Sequence, residues 1–249
     1  MTASPRGYNA PRGMEAAVFL AVMLASVVMA ADPQVMRVLS SIATEQGEAR
    51  SLAVASYVAG CRGKNRFAFR NNKDAMETLR PMFNDEDAKV RAAALGLTVC
   101  YGAGTFDQEV ISLLEDKDAE VRERAYEEAA HAASAEVMVG LAGQVESCAA
   151  RIAELGEVDV KWCKFALYGL GETGKAIKDA AVKRRVADLS APLLRSTAPG
   201  LREHALRNLE LCGGAAHSEA VAAVVHLSFV TDAERKKAAG LAKTLKKRK

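Results

Sequence analysis

From residue 34 onward, apolar residues recur at helical spacing in short runs: VMRVLSSIA, AMETLRPMF, EVISLLE, VMVGLAGQVESCAARIAEL, AIKDAAVKRRVADLSAPLLR and AVAAVVHLSFV. That period marks helices burying one face each. After these runs comes a second kind of segment. DEDAKVRAAALGL begins at Asp85 and DKDAEVRERAYEEA begins at Asp116, an offset of 31 residues. Taking D-x-x-V-R-x-x-A as the phrase, weaker copies place Arg50 and Ala53, Leu201 with Arg202 and Ala205, and Lys236 with Ala239 in register. One more copy lies in DVKWCKFALYGLGETG, with Asp159, Trp162, Cys163 and Ala166 in the Asp, Val, Arg and Ala places. The anchors fall at 50, 91, 122, 163, 202 and 236, a period near 40 that suits two-helix repeat units.

The phrase has a mechanical sense. Asp87, Asp118 and Asp159 stand where an N-cap belongs, able to accept a bond from an otherwise orphaned backbone N–H. Val and Ala then share the inward face of the helix. Each unit reads as helix A, a tight turn and helix B. The expected fold is all-α, an α-solenoid of about six antiparallel two-helix repeats.

The pattern resembles HEAT repeats, particularly the bacterial kind, across about residues 34–247. The resemblance rests on Asp87 and Asp118 in the turns, on Arg50, Arg91, Arg122 and Arg202 in the B helices, and on Pro81 and Pro192 in the A helices. It implies that these Asp and Arg side chains form a hydrogen-bonded ladder between neighbouring repeats, with Asp159 in the same series. Its role would be structural. Cys163 departs from the pattern by standing in an Arg place.

Composition agrees with a helical reading: half the chain is apolar, only 5% is aromatic, and Ala is abundant. It also disarms a tempting motif. GLGETGKA at 169–176 fits a dinucleotide fingerprint and falls one residue short of a P-loop. Yet no second convincing strand accompanies it, and Ala176 replaces the Ser or Thr that would hold magnesium. Gly171 and Gly174 instead read as helix-end glycines, suited to left-handed conformations and close packing between repeats. No nucleotide or other cofactor is implied.

Catalytic constellations are equally scarce. The sequence holds no H-E-x-x-H, no G-x-S-x-G and no evident acid–base pair. His204, Cys212, His217 and His226 match no zinc-ligand spacing, and no metal is expected. KNRFAFRNNK at 64–73 mixes bases with Phe67 and Phe69 but reads as the connection between the first two repeats, the phenylalanines covering core.

The N-terminus differs in kind. Arg6 and Arg12 precede an apolar run at 16–30, and small residues at Val28 and Ala30 offer a cleavage site before Ala31. This describes a secretory signal peptide over 1–30, the alternative being an uncleaved anchor to the inner membrane. An exported, periplasmic or cell-envelope repeat domain would follow over 31–249. Residues 31–233 hold 24 Lys/Arg against 29 Asp/Glu, whereas the helical tail at 234–249 holds eight bases and one acid. That tail offers an anionic-surface contact, or simply a polar cap on the last repeat.

Five cysteines and an oxidising space permit disulfides. Cys148 and Cys163 flank one turn at similar heights, so a bridge between them is geometrically allowed. Cys61, Cys100 and Cys212 sit at corresponding ends of different B helices. Burial as small hydrophobes is the other account of them.

The functional expectation is a non-enzymatic scaffold or adaptor that binds a protein or other macromolecule along a helix-lined face. If B helices line that face, positions one and five after each Arg place point outward: Glu123 and Glu127, Lys164 and Tyr168, Glu203 and Arg207. An exported protein argues against nucleic acid as the partner. Two alternatives remain. The resemblance admits HEAT-like enzymes of the DNA-glycosylase or chromophore-lyase type, and the tail admits a membrane-surface protein.

Overall fold

The computed structural model describes residues 33–63, 72–102, 104–132, 134–155 and 160–248. The fold is all-α, and no strand occurs among the described residues. Among the described residues twelve α-helices follow in order: α1 (Pro33–Thr44), α2 (Gly47–Arg62), α3 (Lys73–Leu79), α4 (Ala88–Leu97), α5 (Asp107–Leu113), α6 (Ala119–Ala132), α7 (Ala135–Leu155), α8 (Val160–Ala176), α9 (Ala180–Ser190), α10 (Pro199–Cys212), α11 (Ser218–Ala223) and α12 (Asp232–Leu245).

Each odd-numbered helix folds back on the even-numbered helix after it, α3 doing so through the 3₁₀ turn Arg80–Asn84, giving six pairs among the described residues. The even helices pack in series, α2 on α4, α4 on α6, α6 on α8, α8 on α10 and α10 on α12. The odd helices form a second layer, α1 on α3, α5 on α7 and α7 on α9, with 3₁₀ turns completing the series. This arrangement is compatible with a solenoid. Between the layers runs one core, from Val35, Leu39 and Ile42 at the start to Val224, Ala238 and Leu245 at the end.

Local chemistry explains the breaks. Asp87 Oδ1 accepts the Lys89 N–H at 2.8 Å, and Asp118 Oδ1 accepts those of Glu120 and Val121 at 2.9 and 3.2 Å. Thr231 and Glu234 form a reciprocal capping box at the start of α12. Pro81 and Pro192 lack an N–H to continue an α-helix, and in both places the chain tightens into a 3₁₀ turn, Arg80–Asn84 and Ala191–Arg195. Between α1 and α2 the chain reverses through Gly47, whose φ of +54° would strain any side chain.

Candidate binding surface

A series of buried and half-buried arginines ties the even helices to their turns. Arg91 Nη1 donates to the carbonyls of Asp85 and Glu86, Arg122 Nη1 to those of Asp116 and Lys117, and Arg202 Nη1 to those of Ser196 and Thr197. In each case these are the residues six and five positions earlier, so the guanidinium ties its helix to its own turn. Three arginines also reach forward to the next pair. Arg50 pairs with Asp87 at 2.9 Å, Arg91 holds both oxygens of Asp116 at 2.8 Å, and Arg202 holds Glu234 at 2.9 and 3.0 Å.

Several expectations change here. Asp118 caps its own helix, while Asp116 takes the bond from Arg91. Arg122 makes no carboxylate link forward among the described residues; its guanidinium lies 4.6 Å from the centre of the Trp162 ring. Asp159 lies outside the described residues, as do the N-terminal segment 1–30 and Phe67 and Phe69. In the last pair the Arg place belongs to Arg235, which bonds the carbonyls of Leu227 and Val230, and Lys236 is exposed. The register there is one residue earlier than expected, because Thr231 rather than Asp232 is the N-cap.

These pairs set the charge states. Hydrogen bonding to Arg50 holds the Asp87 carboxyl below the usual aspartate range. Burial alone would raise Asp116, but the bonds from Arg91 and from the Asp118 N–H outweigh it and the carboxyl is lowered. Glu234 is lowered in the same way by Thr231 and Arg202 against burial.

One disulfide joins the two layers and a second lies within the even layer. Cys148–Cys163 links α7 to α8 with the Cα atoms 5.6 Å apart. Cys61–Cys100 links the end of α2 to the turn after α4, Cα atoms 5.4 Å apart. This second bridge is not among the sequence expectations; the equivalent placement of Cys61 and Cys100, about one repeat apart, is the signal that could have found it. Beside it the hydroxyls of Tyr57 and Tyr101 bond to each other. Cys212 is a free buried thiol, its pKa pushed up by burial. It faces Gly174, where an added Cβ would lie 2.9 Å from its sulfur.

The glycine string forms the last turns of α8, which ends at Ala176. Gly171 and Gly174 are not among the positive-φ glycines, so the left-handed role is corrected. Close packing is what they provide. A Cβ on Gly171 would stand 1.9 Å from Asn208 Oδ1. Asn208, fully buried, donates to the Leu167 carbonyl at 2.9 Å and the Ser190 hydroxyl at 3.1 Å. With its amides bonded within a helix, this segment presents no phosphate-cradling loop.

The even layer also carries the six expected surface positions. Glu123 pairs with Lys161 at 2.8 Å, and Glu127 with Arg124 at 2.9 Å. The Lys164 stem lies against Gly200. Tyr168, exposed, packs edge-on to His204 with Arg207 over its ring at 5.3 Å, and Arg207 pairs with Glu172. Glu203 is exposed beside them. The strip is thus continuous across α6, α8 and α10. At its N-terminal side lies an open groove of about 630 Å³ across α2, α4 and α6. Val54, Ala92, Ala93 and Gly96 make its floor, and Glu120, Glu123, Glu127, Lys89 and Arg124 surround it.

Other polar groups are committed elsewhere. His217 accepts the Gly214 N–H on Nδ1 and therefore donates from Nε2 to Asp188, 2.9 Å away, which leaves neither nitrogen free. Among the described residues no group of three or more His, Cys, Asp or Glu could hold a metal ion, and no helix is long and apolar enough to cross a membrane.

No family model matches the chain, and no curated protein matches it. Among solved structures the chain is similar to an engineered protein from the Northeast Structural Genomics Consortium, with a TM-score of 0.58 and 19% identity. The match covers 87% of this chain and 97% of that one. At that identity the likeness speaks for the fold alone.

Proposed function

We propose that this protein is a HEAT-like α-solenoid that serves as an exported, non-enzymatic scaffold, capturing a protein partner on its even-helix layer. The open groove across α2, α4 and α6 carries this reading. Its floor of small residues lets another backbone approach closely, and its rim of both charges suits an extended polypeptide with its own mixed charges. From the groove the strip continues through Tyr168 and Arg207, an exposed aromatic and an arginine in contact, the residue types that dominate binding energy at protein interfaces. The two disulfides support the exported setting, since such bonds persist in oxidising compartments.

The test is partner capture from the envelope fraction of the native host, using wild type and the Glu127→Ala/Arg207→Ala variant. Both residues sit in exposed or half-exposed ion pairs, whose loss costs about 1 kcal/mol or less. The variant is expected to lose the retained protein while its melting temperature stays within about 4 °C of wild type. Equal capture by both proteins would sink the proposal.

A further inference from the structure

The outward side of α12 is unlike the rest of the even layer. Ala238, Leu241 and Leu245 face the core and are buried. At 100° per residue, the opposite side of the helix carries Lys236, Gly240 and Lys243, with Lys237 on its flank and Lys247 in the turn that follows Leu245. All four lysines are exposed, and none takes part in an ion pair or side-chain hydrogen bond among the described residues. The acids of α12, Asp232 and Glu234, lie in its first turn, and Glu234 is already held by Arg202 and Thr231. No atom comes within 4 Å of the position a Gly240 Cβ would take, so the centre of the basic face is open. Elsewhere on this layer several cations are matched, Lys161 with Glu123, Arg124 with Glu127 and Arg207 with Glu172, and the unmatched Lys89 and Lys164 stand singly on different helices.

We infer that this face of α12 docks flat against an anionic phospholipid bilayer. Three features favour a bilayer over other polyanions. The charges are lysines, which act as point charges and lack the fork that grips a phosphate in one geometry; a fluid sheet of headgroups asks for no fixed geometry. No aromatic residue lies on the face, so nothing offers a base a stacking platform. The face is also one side of a single helix, about 11 Å between Lys236 and Lys243, continued by Lys247 in the turn that follows, matched to a planar surface. Because the apolar side of α12 is used by the core, the contact is electrostatic and peripheral, without insertion. Each lysine near an anionic surface contributes about fivefold in binding, so the four together supply a few hundredfold, lost at high salt.

This inference goes beyond the scaffold reading and is independent of it. The experiment is flotation of the full chain with vesicles of neutral phosphatidylcholine, or of the same lipid with about one quarter phosphatidylglycerol. It is run at low and at high salt, with and without soluble polyphosphate. Wild type is expected to prefer the anionic vesicles by about a hundredfold or more at low salt. The K236Q/K237Q/K243Q/K247Q variant is expected to lose that preference, and both proteins should bind neutral vesicles equally. The neutral arm removes any contribution of the apolar N-terminal run. Equal preference for anionic vesicles by variant and wild type would overturn the inference. So would binding of wild type to polyphosphate with none to vesicles, which would assign the face to a soluble polymer. The Glu127→Ala/Arg207→Ala variant should float like wild type, so failure of the groove and failure of this face are told apart.

Discussion

In the α3/α4 pair the turn between the helices is held by Arg91, whereas in the α7/α8 pair the equivalent position is Cys163, bonded to Cys148. Both devices anchor an even helix to the odd helix before it. The guanidinium has donors to spare, and after bonding its own turn it reaches the Asp116 carboxylate of the following pair. A disulfide has no such surplus. The link from α8 forward is made by other means: Asn208 donates to the Leu167 carbonyl, and Gly171 lets α10 come close enough for it to do so. Arg and Cys at one structural position therefore give the array two kinds of joint. One answers to protons and charge, the other to redox state.

The largest effect should come from reduction. Chain-entropy arguments give about 3 kcal/mol for the 15-residue separation of Cys148–Cys163 and about 4 for the 39-residue separation of Cys61–Cys100. Melting in excess reductant should fall well below melting without it. The Cys148→Ser/Cys163→Ser variant should recover slightly less than half of that difference. An unreduced variant melting like wild type would mean the α7/α8 turn is held without the bridge, and the comparison would fail.

Arg91→Ala tests the other joint. It leaves Asp116 buried without its partner and frees two turn carbonyls, a loss of about 3–5 kcal/mol. The expected fall in melting temperature is roughly 10 °C, unchanged by reductant. Arg122→Ala should cost less, because its turn bonds are partly exposed and its forward contact is a cation–π stack on Trp162. Equal losses from the two variants would show that the Asp116 bond adds nothing to the turn clamp.

The contrast between these arginines also shows what the sequence could reveal. Arg91, Arg122 and Arg202 bond carbonyls at fixed distances behind them, so their spacing repeats and the helical pairs can be read from it. Their forward acceptors obey no such rule. Asp87 lies four residues before its own Arg place, Asp116 six and Glu234 one. Any carboxylate within reach serves, which is why the repeated phrase points to Asp118 although Asp116 takes the bond. The same logic applies to the glycines. Small size at Gly171 is legible, but its cause is the Asn208 side chain 37 residues away, which only the packed structure brings near. The six surface positions follow from helical phase alone. The groove beside them depends on how α2, α4 and α6 are set against each other, and no single-helix pattern encodes that.

Acid should loosen the charged joints and spare the disulfide. Asp87, Asp116 and Glu234 all have folded pKa values below their ordinary ones. Groups of this kind stabilise fully above the unfolded value, about 4 for these carboxyls, and lose that contribution as pH falls through the lower folded values. Wild type should thus lose stability below about pH 4, and Asp116→Asn should flatten part of that limb. A limb of the same depth in Asp116→Asn would place the effect on other carboxyls.

Glu128 provides the smallest and most discriminating change, because its sign is opposite. It is buried beside α4, accepting from the Thr98 hydroxyl at 3.1 Å, with Arg124 3.2 Å from its other oxygen. Burial is the dominant influence and raises its pKa despite both partners. A carboxyl whose folded pKa exceeds its unfolded value favours folding less once it is ionised, so this group penalises the protein at neutral pH and ceases to do so as pH falls towards 4. Glu128→Gln keeps an acceptor for Thr98 and removes the buried charge. Its melting temperature should exceed that of wild type by roughly 1–2 °C at pH 7 and converge with it near pH 4. A variant less stable than wild type at pH 7 would mean that the Arg124 pair outweighs burial, and Glu128 would then join Asp116 as a joint of the array.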